Sequence, residues 1–237
     1  MPGLVDTRVH EENMSIMHKI YSAFHHITTP CDERASGVSP GYWNHLVRSA
    51  VLSASHDIKG NILDVGCGDG LFLIRLAKQN PVARIWAVDI DAVNIRQAQE
   101  RVQQEQIASI HFSQQDATMM SFDADMFDMI LCTNVFMTMD SMATVRKALA
   151  SMSRVSRKGA LIFFDYRNAL NPLLRLKYKL APMYDKTIIG HNLSAYYPGD
   201  ISAALKEAHM AMVERLCIGL PLLNALAPVI IVRAQKI

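Results

Sequence analysis

A chain of 237 residues that is 50% apolar and 19% charged has the composition of a folded domain with a large core, not of a disordered segment. Its 24 basic and 22 acidic residues nearly cancel, leaving net +2 and no electrostatic footprint for nucleic acid. Cys31, Cys67, Cys132 and Cys217 stand far apart with no C-x-x-C pair. That pattern reads as reduced thiols in a cytoplasmic setting, not as disulfides or a zinc knuckle.

The first residues carry no basic-then-apolar leader. Residues 1–58 read as a helical segment, with helices expected over 11–27 and 41–55. Alternation then begins. NILDV at 61–65 predicts a strand, a glycine-rich turn follows, and LFLIRLAKQ predicts a helix. RIWAV at 84–88 is a second strand. Asp91 starts a helix whose buried face is Ile95, Ala98 and Val102. Short strands follow at 110–113 and 127–132. Ser141 caps a helix faced by Val145, Leu149, Met152 and Val155, which Gly159 is expected to end. A fifth strand spans 160–164, an irregular insertion occupies 166–198, and a helix covers 199–209. The uncharged run 216–232 contains Gly219, Pro221, Asn224 and Pro228, so it reads as two buried strands joined by a loop, not as a membrane span. Strands alternating with helices imply an α/β, parallel, doubly wound sheet, and the loop between the last two strands implies an antiparallel pair. One domain is expected: helical segment 1–58, core 59–165, cap insertion 166–198, and helix with strand pair 199–237.

The informative segment is Ile62-Leu-Asp-Val-Gly-Cys-Gly-Asp-Gly70. Gly66, Gly68 and Gly70 lie between a strand and a helix, where backbone must turn tightly and approach a ligand. A G-x-G-x-x-G dinucleotide fingerprint would need glycine where Leu71 stands. Asp69 at the helix start would also repel a pyrophosphate. With Asp64 it suits instead a ligand bearing an ammonium group and no phosphate, such as S-adenosylmethionine (SAM). Asp89, ending the second strand, can accept from ribose hydroxyls. Asp116, after the third strand, can accept from an adenine amino group. The bland alternatives are a helix cap for Asp89 and a turn for Asp116.

Taken in order, these segments resemble the class I SAM-dependent methyltransferases of small-molecule type. LDVGCGDG is similar to their first motif, VDID to their ribose motif and QQDA to their adenine motif. FDMILCTNVFMTM is similar to their fourth-strand motif. The resemblance implies a Rossmann-like seven-stranded sheet with the last strand antiparallel. It implies SAM contacts at Asp64, Gly66, Cys67, Gly68, Asp69, Gly70, Asp89, Ile90, Asp116, Ala117, Thr133 and Asn134. His209-Met210 stands where small-molecule members usually have Gly-Phe, a departure at a turn.

Such a protein would move a methyl group from SAM to an O, N or C atom of a small molecule. Two rival readings are a nicotinamide-dependent oxidoreductase and a non-catalytic SAM-binding subunit. Candidate bases are His25, His26, Tyr166, His191, Tyr196 and Tyr197. Tyr42, Trp43, Tyr166, Arg167, Tyr196 and Tyr197 are candidate substrate contacts, in two segments expected to roof the pocket. Asn134, Asp165 and Asn168 are a poor oxygen set for Mg²⁺, so no metal is expected. The basic run from Arg175 to Lys179 reads as a solvated helix face or a grip for an anion. No nucleic-acid partner is expected, and a homodimer is left open.

Overall fold

The apolar runs assemble into one sheet. In the computed structural model, which describes residues 41–56, 58–180, 193–219 and 224–237, its strands are β1 (Asn61–Val65), β2 (Arg84–Asp89), β3 (Ile110–Gln114), β4 (Phe127–Cys132), β5 (Ser156–Arg167), β6 (Met210–Ile218) and β7 (Val229–Lys236). Their order is β3-β2-β1-β4-β5-β7-β6. The first five are parallel, and β7 runs antiparallel to both β5 and β6. The expected Rossmann-like doubly wound sheet with an antiparallel last strand is therefore observed.

The central strands are buried on both faces, as Ile62, Leu63, Ile130 and Leu131 show at 0% exposure. Helices on either side provide that cover. They are α1 (Gly41–Ala54), α2 (Leu71–Gln79), α3 (Ala92–Gln104), α4 (Met142–Val155), α5 (Pro172–Leu180) and α6 (Pro198–Glu207). Helix α3 buries Ile95, Ala98 and Val102, and its cap Asp91 accepts from the Val93 N–H at 2.8 Å. Helix α4 buries Val145, Leu149, Met152 and Val155, and Ser141 accepts from the Thr144 N–H. Both readings of pattern and cap hold.

One boundary differs. Gly159 does not end α4; the helix stops at Val155 and β5 starts at once. Gly159 sits inside β5 at φ 81°, where the pairing with β4 shifts register between Phe127 and Met129. A glycine in left-handed backbone serves a strand irregularity as readily as a helix end. The uncharged C-terminal run forms the end of β6 and the start of β7; only β7 is buried as expected, since β6 is the edge strand and largely exposed, and among the described residues no helix is long and apolar enough to cross a membrane. The helix expected over 11–27, and His25, His26 and His191, lie outside the described residues; so do the side chains of Tyr42 and Trp43 on α1.

Candidate functional site

Strand order reverses between β1 and β4, which opens a crevice at their carboxyl ends. A cavity of about 860 Å³ lies there. The chain enters it through the turn after β1. The N–H groups of Gly66 and Cys67 both donate to the Val88 carbonyl, at 2.7 and 3.0 Å, which ties the turn to β2. Gly66 has φ 76° and Gly68 φ 55°. A Cβ on Gly66 would meet Val135 Cγ2 at 2.3 Å, whereas one on Gly68 would meet nothing within 4 Å. Gly66 is thus needed for packing, and Gly68 leaves open space beside the cavity it lines.

Asp89 is held by three donors. Its Oδ2 accepts from the Gly68 N–H at 2.9 Å, and its Oδ1 from the Asp91 N–H at 2.9 Å and Asn94 Nδ2 at 3.2 Å. A carboxylate has about four acceptor positions, so one stays available to a ligand. Asp64, on β1, is 2% exposed and lines the same cavity. Burial pushes its carboxyl up to about 7, against the pull of the Arg48 guanidinium and with the repulsion of Asp89. Arg48 comes from α1 and also lines the cavity. Asp116 Oδ1 accepts from both the N–H and the hydroxyl of Thr118, a local turn, while the residue itself lines the cavity with Ala117 and Ile90.

The β4 end is built differently. Asn134 takes φ 62°, a left-handed conformation that Asn tolerates. Its N–H donates to Asp165 Oδ1 at 2.6 Å. Asp165 Oδ2 pairs with Arg167 Nη1 at 2.5 Å, and Arg167 Nη2 donates to Asn134 Oδ1 at 3.0 Å. This closed ring lies on β5, with Asp165 and Arg167 both buried. Because a guanidinium only donates, the ring fixes which way the Asn134 amide faces. Its Nδ2 is buried without a partner among the described residues, and the residue lines the cavity beside Thr133. Such an orphaned donor costs about 1–3 kcal/mol, which a ligand acceptor would recover.

Not every expected residue reaches the cavity. Asp69 turns away: its Oδ2 pairs with Arg101 at 2.8 Å and Arg101 Nε donates to its carbonyl at 3.0 Å. Gly70 serves helix packing, since a Cβ there would stand 2.8 Å from the Ala98 backbone. Neither lines the cavity. Tyr166, Arg167, Tyr196 and Tyr197 do not line it either. Tyr166 is fully buried in the core, and burial pushes its phenol up to about 12, which suits a base poorly. The Tyr196 hydroxyl donates to the Met139 carbonyl at 2.7 Å and so supports the wall from behind. Tyr197 is exposed at the start of α6. Asp165 pairs with Arg167, and Asn168 Nδ2 donates to the carbonyls of Ala225 and Ala227, so both residues are engaged within the protein. Arg48 and Asn94 were not expected; each depends on which face of a helix meets the sheet edge.

Residues 56–214 match the family model described as a methyltransferase domain. A malonyl-[acyl-carrier protein] O-methyltransferase of Paenibacillus sp. is 30% identical over 125 residues, covering 52% of this chain and 44% of that protein. A ubiquinone biosynthesis O-methyltransferase of Coxiella burnetii is 27% identical over 145 residues, covering 56% and 59%. The matches thus span about half the length of these curated relatives. The crystal structure of magnesium protoporphyrin IX methyltransferase from Synechocystis with bound SAH superposes with a TM-score of 0.63 at 15% identity, covering 81% of each chain. At that identity the likeness is one of fold.

Proposed function

The chain belongs to the methyltransferase-domain family, and on that premise we propose that it moves the methyl group of SAM to an oxygen, nitrogen or carbon atom of a small molecule. The observation that carries this reading is the convergence of the Gly66–Gly68 turn, Asp64, Asp89, Asp116 and Asn134 on one cavity. Bound SAM supplies an electrophilic methyl. The protein's task is to bind, orient and exclude water. Asp89 offers its remaining acceptor position to ribose, and Asp116 offers Oδ2 to an adenine amino group. Asp64, once ionised, faces the ammonium of the methionyl end, and Asn134 Nδ2 donates beside it. No base is assigned.

A nicotinamide dinucleotide fits less well. Its pyrophosphate would sit at the start of α2, where Leu71 replaces the third fingerprint glycine and its N–H already donates to Asp69 Oδ1 at 3.4 Å. The near-neutral charge supports a small molecule over nucleic acid. Free thiols at Cys67, Cys132 and Cys217 suit a cytoplasmic setting, and size-exclusion chromatography decides between monomer and homodimer. Of the two segments expected to roof the pocket, 18–46 and 166–197, the described residues Tyr166, Arg167, Tyr196 and Tyr197 lie off the cavity, and we place its N-terminal wall instead in α1, which supplies Arg48. The test uses SAM carrying a radiolabelled methyl and a small-molecule extract. Label should appear in low-mass product. Label confined to nucleic acid or protein, or none transferred while SAM binds, overturns the proposal.

A further inference from the structure

Helix α5 carries apolar side chains on its outer face. Asn171 starts it, its Oδ1 accepting from the Leu174 N–H at 2.7 Å, and Pro172 takes the first turn. Leu174 is buried and Tyr178 half-buried, which fixes the inner face. At 100° per residue, Leu173 and Leu176 lie on the opposite side, and they are 70% and 52% exposed. Leu170, just before the helix, is 46% exposed. Single exposed leucines are ordinary, but a helical stripe of them is not.

Charge completes the pattern. Arg175, Lys177 and Lys179 are all exposed, and PLLRLKYKL holds no acidic residue. The same spacing puts Arg175 and Lys179 on one border of the leucine stripe and Lys177 on the other. A narrow apolar stripe with cations on both borders matches a helix lying in the headgroup plane of an anionic bilayer. A nine-residue helix is about 14 Å long, far too little for the ~800 Å² per partner of a stable protein interface.

We propose that α5 seats the protein on an anionic lipid surface. Leu170, Leu173 and Leu176 enter the acyl boundary, and Arg175 and Lys179 meet the headgroups. The helix follows the carboxyl end of β5, where Arg167 touches the cavity residue Asn134. Seating therefore brings the cavity's sheet edge toward the membrane and suits an amphiphilic methyl acceptor. Only that acceptor class rests on the proposed methyl transfer; the docking does not.

The experiment is co-sedimentation of the full chain, without SAM, with vesicles of phosphatidylcholine alone or mixed with phosphatidylglycerol. The protein should pellet with the mixed vesicles and stay in solution with the neutral ones. Leu173→Ser/Leu176→Ser and Arg175→Glu/Lys179→Glu should each lower the bound fraction by about tenfold, with unchanged circular dichroism. High salt should weaken binding further. Failure of the folded wild type to pellet with mixed vesicles overturns the proposal, as does pelleting of both double variants at the wild-type level. Loss of a dimer in the leucine variant, with no vesicle binding by the wild type, would make the stripe a copy-to-copy contact instead. Because the readout is sedimentation, a failure of methyl transfer leaves this result standing.

Discussion

The two sides of the crevice reach the same cavity by different means. At β1 and β2 the fixing donors are mostly backbone N–H groups: those of Gly66 and Cys67 donate to the Val88 carbonyl, and those of Gly68 and Asp91, with the Asn94 amide, donate to Asp89. At β4 and β5 the fixing group is a buried ion pair that holds Asn134 from another strand. Backbone turns give the first side its shape, around the buried carboxylates of Asp64 and Asp89. The second side depends on Asp165 and Arg167 keeping each other neutral, so its failure affects the whole fold.

The largest effect expected from this contrast is at Arg167. Arg167→Met leaves Asp165 buried and uncompensated, a loss of about 3–5 kcal/mol. For a chain of this size that lowers the thermal midpoint by roughly 6–20 °C. Adding Asp165→Asn should restore part of it. A midpoint within a degree of wild type for the single variant would show that the ring holds nothing.

Next are the two turn glycines. Gly66→Ala meets Val135 and a left-handed backbone, for about 2–4 kcal/mol of destabilisation in urea unfolding. Gly68→Ala has open space, so stability should drop by only about 1–2 kcal/mol while SAM affinity falls. Equal stability losses would erase the distinction between packing and ligand glycines.

Burial raises a carboxyl on each side, Asp64 and Asp165, and of the two Asp64 lines the cavity. Asp64 keeps its proton up to about 7. Its folded value is raised, so its unfavourable effect is absent below the usual carboxylate range, grows as pH rises, and is complete above about 7. Binding of an ammonium ligand needs that proton gone. SAM affinity should therefore rise about tenfold between pH 5.5 and 7, at one decade per pKa unit, and the rise should vanish in Asp64→Asn. Calorimetry across that window decides it, and an unchanged slope in the variant would remove Asp64 from the site.

The smallest effect lies away from the crevice. His209 adopts φ 54° at the turn where the resembled family has glycine. His209→Gly should relieve about 1 kcal/mol of strain and raise the thermal midpoint by about 2–4 °C. A lowered midpoint would mean that the imidazole makes a stabilising contact.

What was legible in the chain follows the same division. The glycine turn, the carboxylate ending β2, the caps Asp91 and Ser141 and the buried helix faces each arise within a few residues, where spacing and residue type determine geometry. The run from Ser156 to Gly159 was read as helix because its strand character comes from pairing with Phe127 on β4. Asp165 and Asn134 read from the sequence as oxygen ligands, but Arg167, two residues further along β5, pairs with the first and reaches across to the second after β4. Asp69 sits in the most informative motif, yet Arg101 on α3 draws it out of the cavity. No local pattern announces a partner on a different element.

The central claim is that ligand recognition rests on Asp89 and not on its motif neighbour Asp69. Titration calorimetry with SAM on wild type, Asp89→Ala and Asp69→Ala tests it directly. Asp89→Ala removes a charge-assisted bond worth roughly 1.5–3 kcal/mol, so affinity should fall at least about tenfold. Asp69→Ala should lower the melting temperature and leave affinity within about threefold. Unchanged affinity in a folded Asp89→Ala, or the larger loss in Asp69→Ala, would contradict the assignment.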